Sequence, residues 1–123
     1  MKDFFALFPA NVDIIFSPGE VGDRIEYLPN DVISDIDWTD IHPIKQVYLN
    51  CNCYTGQKMW DPLTVINAVE GNKDFLLSPR GFVEVTDEAQ TIFVENEKGN
   101  SRYQLPQYSE WNTKILDKIR ASD

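Results

Sequence analysis

The chain has 123 residues, 42% hydrophobic and 25% charged, and its 20 acidic and 11 basic side chains leave a formal net charge of −9. This size and balance describe one globular domain spanning residues 1–123, able to bury roughly two-thirds of its unfolded surface, and they exclude a disordered chain. The acidic surplus argues against a nucleic-acid partner, since affinity for phosphate backbones comes largely from Lys and Arg.

The N-terminal patch Phe4-Phe5-Ala6-Leu7-Phe8 is short, follows Asp3 and stops at Pro9. It reads as a helical turn or two and makes a poor secretory signal. No apolar run approaches the roughly 20 residues of a membrane span, so the expectation is a cytoplasmic protein without a membrane partner. Asn11-Val12-Asp13-Ile14-Ile15-Phe16 is a β-branched run that predicts a short strand. Ser17-Pro18-Gly19-Glu20 follows with the spacing of a capping box, opening a short helix through Val21 and Ile25. A strand leading into a capped helix is the βα unit of an α/β protein.

The stretch 27–41 is acidic and irregular and predicts mostly a solvated connection with one helical turn in it. Its aspartates lack the regular ligand spacing and glycine of an EF-hand loop. His42-Pro43 opens a helix whose apolar face is Ile44, Val47, Tyr48 and Cys51. His42 is the only histidine, and no Ser-His-Asp set can be argued around it from spacing. Beside a proline it reads as a helix start. Cys51 and Cys53, with no further ligands nearby, predict two free thiols with Cys51 turned inward, not a zinc or redox site. A second helix opens at Asp61-Pro62 and closes at Gly71, and the two helices are expected to pack side by side.

From Phe75 the period changes to two. Phe75-Leu76-Leu77, Phe82-Val83-Glu84-Val85-Thr86, Thr91-Ile92-Phe93-Val94-Glu95 and Arg102-Tyr103-Gln104-Leu105 predict an antiparallel meander of three or four strands. Ser109 then caps a last helix with Trp111, Ile115, Leu116 and Ile119 along one stripe.

The most informative stretch is Trp60-Asp61-Pro62-Leu63-Thr64-Val65. An aspartate at a helix mouth before proline is explained fully as an N-cap, worth about 1 kcal/mol. It can also be a carboxylate aimed into a metal site, and from spacing alone the cap is the leading of the two readings.

Several segments, in order, resemble one family. Ile15-Phe16-Ser17-Pro18-Gly19-Glu20-Val21-Gly22-Asp23-Arg24-Ile25 resembles the strand-turn-helix V-F-S-G-x-E-I-G-x-x-I of bacterial nucleoside hydrolase-like proteins, relatives of the inosine-uridine nucleoside N-ribohydrolases. His42-Pro43-Ile44-Lys45 is similar to the helix start that follows it there. Trp60-Asp61-Pro62-Leu63-Thr64-Val65 resembles [HW]-D-x-x-A-V, and the stretch 75–85 resembles F-x-L-S-x-x-G-x-V-x-V. Gly99-Asn100-Ser101-Arg102-Tyr103 is similar to the closing G-N-H-R-Y-L.

The resemblance implies the C-terminal part of a nucleoside hydrolase-like α/β fold, with one short strand of a mostly parallel sheet, several helices and the C-terminal meander. It also implies that Asp61 matches an aspartate that ligates a calcium ion in complete family members. Trp60 stands where many members carry a histidine near the leaving base. A tryptophan cannot donate a proton at neutral pH, but it can stack on a base. The family's opening D-x-D-x-x-x-D-D, which supplies the other carboxylates, has no counterpart here. One carboxylate cannot hold a calcium ion that takes six to eight oxygens.

The expectation is therefore calcium-dependent hydrolysis of N-ribosyl bonds of a nucleoside only when missing N-terminal sequence completes the site. The alternative is a catalytically inactive interaction or oligomerisation module. A strand lacking its sheet neighbours leaves an edge to be covered, which implies self-association or docking with an N-terminal part.

Overall fold

Ile14–Phe16, the β-branched core of the first predicted strand, forms β1, a three-residue strand. The computed structural model describes residues 5–51 and 55–121. A 3-10 turn at Phe5–Leu7 precedes β1, and α1 (Gly19–Gly22), β2 (Glu26–Tyr27), α2 (Pro29–Asp35) and α3 (Pro43–Asn50) follow. Then come β3 (Gln57–Lys58), α4 (Trp60–Glu70), a 3-10 turn at Asn72–Asp74, β4 (Gly81–Val85), β5 (Thr91–Glu95), β6 (Ser101–Tyr103) and α5 (Ser109–Arg120). The chain is thus mixed α/β. Its main sheet has the order β1-β6-β4-β5, and β2 and β3 form a separate two-stranded ribbon.

The main sheet is mixed: β1 runs parallel to β6, with Ile14 opposite Ser101 and Phe16 opposite Tyr103, and the other pairings are antiparallel. The predicted meander is corrected here, because β6 does not continue outward from β5. It crosses to the far side of β4, where Ser101 faces Gly81. Two glycines permit the crossing. A Cβ on Gly99 would lie 2.0 Å from the Gly81 carbonyl oxygen, and one on Gly81 would lie 2.4 Å from the Phe93 ring. Gly99→Ala is accordingly expected to destabilise the fold by about 1–3 kcal/mol, because backbone must move to admit the methyl group. The urea midpoint reads this directly. The predicted strand at 75–77 shrinks to a single bridge between Leu77 and Gln104.

Most of the buried hydrophobic core comes from the helices and their flanks. Val21 of α1, Val32 of α2, Leu63 of α4 and Ile115 of α5 are each 0% exposed, and Ile25, Tyr27, Tyr48, Met59, Phe75 and Trp111 complete the cluster. The predicted α5 stripe holds: Trp111 and Ile115 are buried, and Leu116 and Ile119 pack against them. The strands β1, β4, β5 and β6 contribute no residue to this core, and Phe82, Ile92 and Val94 are exposed.

Several local expectations change. The capping box at Ser17 does not form; Pro18 takes the cap position without a side-chain bond, and the Ser17 hydroxyl donates instead to the buried Gln104 side-chain oxygen. A partner in a buried layer competes successfully with a helix only four residues long. The stretch 27–41 contains the last residue of β2 and the two-turn α2, started by Pro29 at its first position. On α3 only Tyr48 is buried, while Ile44, Val47 and Leu49 are half exposed. Helix α3 packs chiefly on α2, and α4 on α1, so the two predicted neighbours do not pair as expected. Cys51 is exposed and disulfide-bonded, not an inward free thiol; Cys53 lies outside the described residues. Ser109 is the first residue of α5, with Tyr108 at the cap position.

Candidate functional site

The site that the sequence singles out is the first turn of α4. Met59 donates its backbone N–H to the Ile25 carbonyl at 3.0 Å, and its own conformation (φ −97°, ψ 49°) ends β3 and launches the helix. Trp60 and Asp61 are the first two helical residues, and Pro62 is the third. Proline is tolerated there because its missing N–H would have had no intrahelical partner. Asp61 is therefore not the N-cap: Met59 is, and no side-chain bond caps the helix. The Asp61 carboxylate instead sits exposed inside the first turn, where the helix dipole favours negative charge.

Trp60 is held from one side. Its Nε1–H donates to Asp23 Oδ1 at 3.0 Å, and its ring lies so close to Gly22 that a Cβ there would fall 2.5 Å from Cδ1. Of the whole residue 46% remains exposed. The indole is thus fixed in place yet partly open, the condition for offering a surface to a flat ligand. Sequence reasoning about single sites misses the partners Gly22 and Asp23. Gly22, which abuts this tryptophan, stands at a fixed glycine of the first motif, whereas Asp23 falls at an open position and carries no such signal.

Beside Asp61 lies a hollow of about 460 Å³ between α4 and α5. Asp61 stands at one end, Val65, Ile66 and Val69 line it, and Glu70 and Lys118 are at the other. Lys118 bonds both Glu70 and Asp74, and Lys114 also bonds Asp74. Lys114 first, then Lys118, hold the Asp74 carboxyl down to about 2. A carboxylate depressed in the folded state stabilises the fold above its unfolded value near 3.9, and that contribution disappears as pH falls through the folded value. Urea midpoints should therefore decline between about pH 4 and 2, and Asp74→Asn should flatten that part of the profile relative to the parent chain.

The other residues weighed from sequence lie apart from this pairing. Glu20 is exposed in the first turn of α1. His42 is the cap residue of α3, makes no capping bond, and stands edge-on to Trp38 at 5.7 Å in a different cavity.

Calcium takes six to eight oxygens, and Asp61 can supply two at most. Among the described residues no group of three or more His, Cys, Asp or Glu side chains is placed to hold a metal ion. By themselves these residues do not fit a calcium site. Among them, too, no helix is long and apolar enough to cross a membrane.

The fold and the site together define a mixed α/β domain presenting a pinned tryptophan and a free-standing carboxylate at one helix mouth. In comparisons with protein-family models, curated proteins and solved structures, nothing matches this chain.

Proposed function

We propose that this chain is the C-terminal portion of a nucleoside hydrolase-like protein, and that it serves N-ribosyl hydrolysis as one wall of a site completed by an N-terminal portion. The observation that carries this reading is how the motif segments meet. Trp60 of the third motif rests on Gly22 and Asp23 of the first. Ser78 of the fourth accepts, through its hydroxyl, the backbone N–H of Tyr103 in the fifth, and its carbonyl accepts from Arg102 Nε. Gly81 and Gly99 of the same two motifs touch. Trp60, Gly22, Ser78, Gly81, Gly99, Arg102 and Tyr103 all carry the resemblance, whereas Asp23 falls at an open position and the second motif takes no part. That four of the five motifs meet in pairs supports one inherited arrangement over a set of chance matches.

In this reading Asp61 is a ligand awaiting further oxygens, and Trp60 is the surface against which a nucleobase stacks. The decisive test starts from the reading frame upstream. A D-x-D-x-x-x-D-D sequence encoded there, and calcium-dependent release of base from inosine or uridine when both polypeptides are present, is the expected result. Calcium-dependent release by this chain alone would overturn it.

One observation favours a second reading, a catalytically silent interaction module. Strand β1 is at the edge of its sheet, and Phe82, Ile92 and Val94 are exposed, a surface suited to another chain. Light scattering after size exclusion decides it: a monomer at every concentration tested would sink this alternative.

A further inference from the structure

A second cavity, of about 500 Å³, opens between α2, α3 and the C-terminal end of α5. That volume lies within the range of small-molecule pockets. Trp60 and Asp61 do not line it, so a ligand held here is independent of the nucleoside hydrolase-like role.

Its lining is aromatic and electrically settled. Tyr27, Tyr48 and Met59 are buried, whereas Trp38 and Ile44 are 67% and 50% exposed. Tyr27 and Tyr48 meet edge-to-face, as do Trp38 and His42, and such a pair occupies only one face of one of its rings. Asp35 and Arg120 are the charged residues of the lining, and they are spent on each other through two bonds, Nε to Oδ2 at 2.7 Å and Nη2 to Oδ1 at 2.9 Å. The Tyr27 hydroxyl also donates to Asp35, and the Tyr48 hydroxyl to the Tyr27 carbonyl. A charged ligand would find no free counter-charge here.

Gln57 and His42, polar side chains of the lining, make no hydrogen bond among the described residues; Gln57 is exposed to solvent and His42 is half-buried. The His42 imidazole does not cap α3, and neither ring nitrogen makes a hydrogen bond among the described residues; Nδ1 is inaccessible, which leaves Nε2 as the nitrogen a ligand can meet. By choice of tautomer Nε2 can either donate or accept.

We propose that this cavity binds a neutral, planar heteroaromatic molecule, packed among the aromatic side chains and hydrogen-bonded by the His42 imidazole.

The test uses benzimidazole as probe, at a pH where it is neutral, and indane as a partner of the same shape without ring nitrogens. His42 is the only histidine of the chain and Trp38 one of three tryptophans, so their ring signals in nitrogen-proton NMR spectra report the site directly. Benzimidazole is expected to give saturable shifts at His42 and Trp38 while the indoles of Trp60 and Trp111 stay put. Indane should bind roughly three- to ten-fold more weakly, the worth of one hydrogen bond. His42→Phe should weaken benzimidazole by the same factor, read at Trp38, and leave indane unchanged. Ile44→Trp, at the exposed rim, should abolish binding of both without touching the buried core. Absence of saturable shifts, equal shifts at all three tryptophans, or equal affinity for the two probes would overturn the proposal.

Discussion

Ile115→Ala is expected to remove about 2–5 kcal/mol of stability. Ile115 is 0% exposed and belongs to the central cluster with Trp111, Leu63 and Val21. Truncation loses the transfer free energy of the missing groups and adds a cavity that close-packed neighbours cannot fully refill. A domain of this size has only about 5–15 kcal/mol in hand, so the variant should unfold at a visibly lower urea concentration. Val69→Ala provides the contrast. Val69 is equally aliphatic and helical but 79% exposed, and its replacement should stay within about 0.5 kcal/mol. Comparable losses at both positions would mean that the core has been misplaced.

The second large effect concerns Asp61. If the chain works as one wall of a nucleoside hydrolase-like site, Asp61→Asn in the two-part protein should lower calcium-dependent base release by on the order of a hundred-fold or more. Even the outer partners of metal ligands are worth 10–100-fold. The folded state should barely notice, because Asp61 is exposed and makes no capping bond. A circular dichroism melt on the same sample separates the two effects. Unchanged turnover in a folded Asp61→Asn protein would remove Asp61 from the site.

Much of the architecture is visible in the amino-acid order wherever one period dominates. The stripe from Trp111 to Ile119 repeats at helical spacing, and α5 follows it. The run Thr91-Ile92-Phe93-Val94-Glu95 alternates between turns, and β5 matches it residue for residue. Gly71, the expected end of α4, closes that helix with a positive φ of 75°. The misses share a cause, a tertiary partner that no local pattern announces. Strand β6 pairs with β4 because two distant glycines let the backbones approach. Ser17 abandons its capping role for Gln104, 87 residues away. Helix α2 hides behind acidic side chains, although Pro29 at its first position marks a legitimate start. For the candidate site, local pattern puts Asp61 at the helix mouth but as the cap, where the structure has it inside the first turn. Nothing in that pattern hints that Asp23 holds the neighbouring indole.

The division between a helical core and a sheet that adds nothing to it has a consequence for how the molecule breathes. Opening free energies follow local burial, so contiguous parts of one domain come apart at different costs. Helices α1, α4 and α5 share fully buried residues and should open only together, near the limit of global unfolding. The β4–β5 hairpin has exposed apolar residues on both strands and can part from the body while the helices stay closed. Under the reading of the chain as an interaction module, the exposed apolar residues of this hairpin would lie on the part expected to open most readily, and docking there would be partly an act of folding.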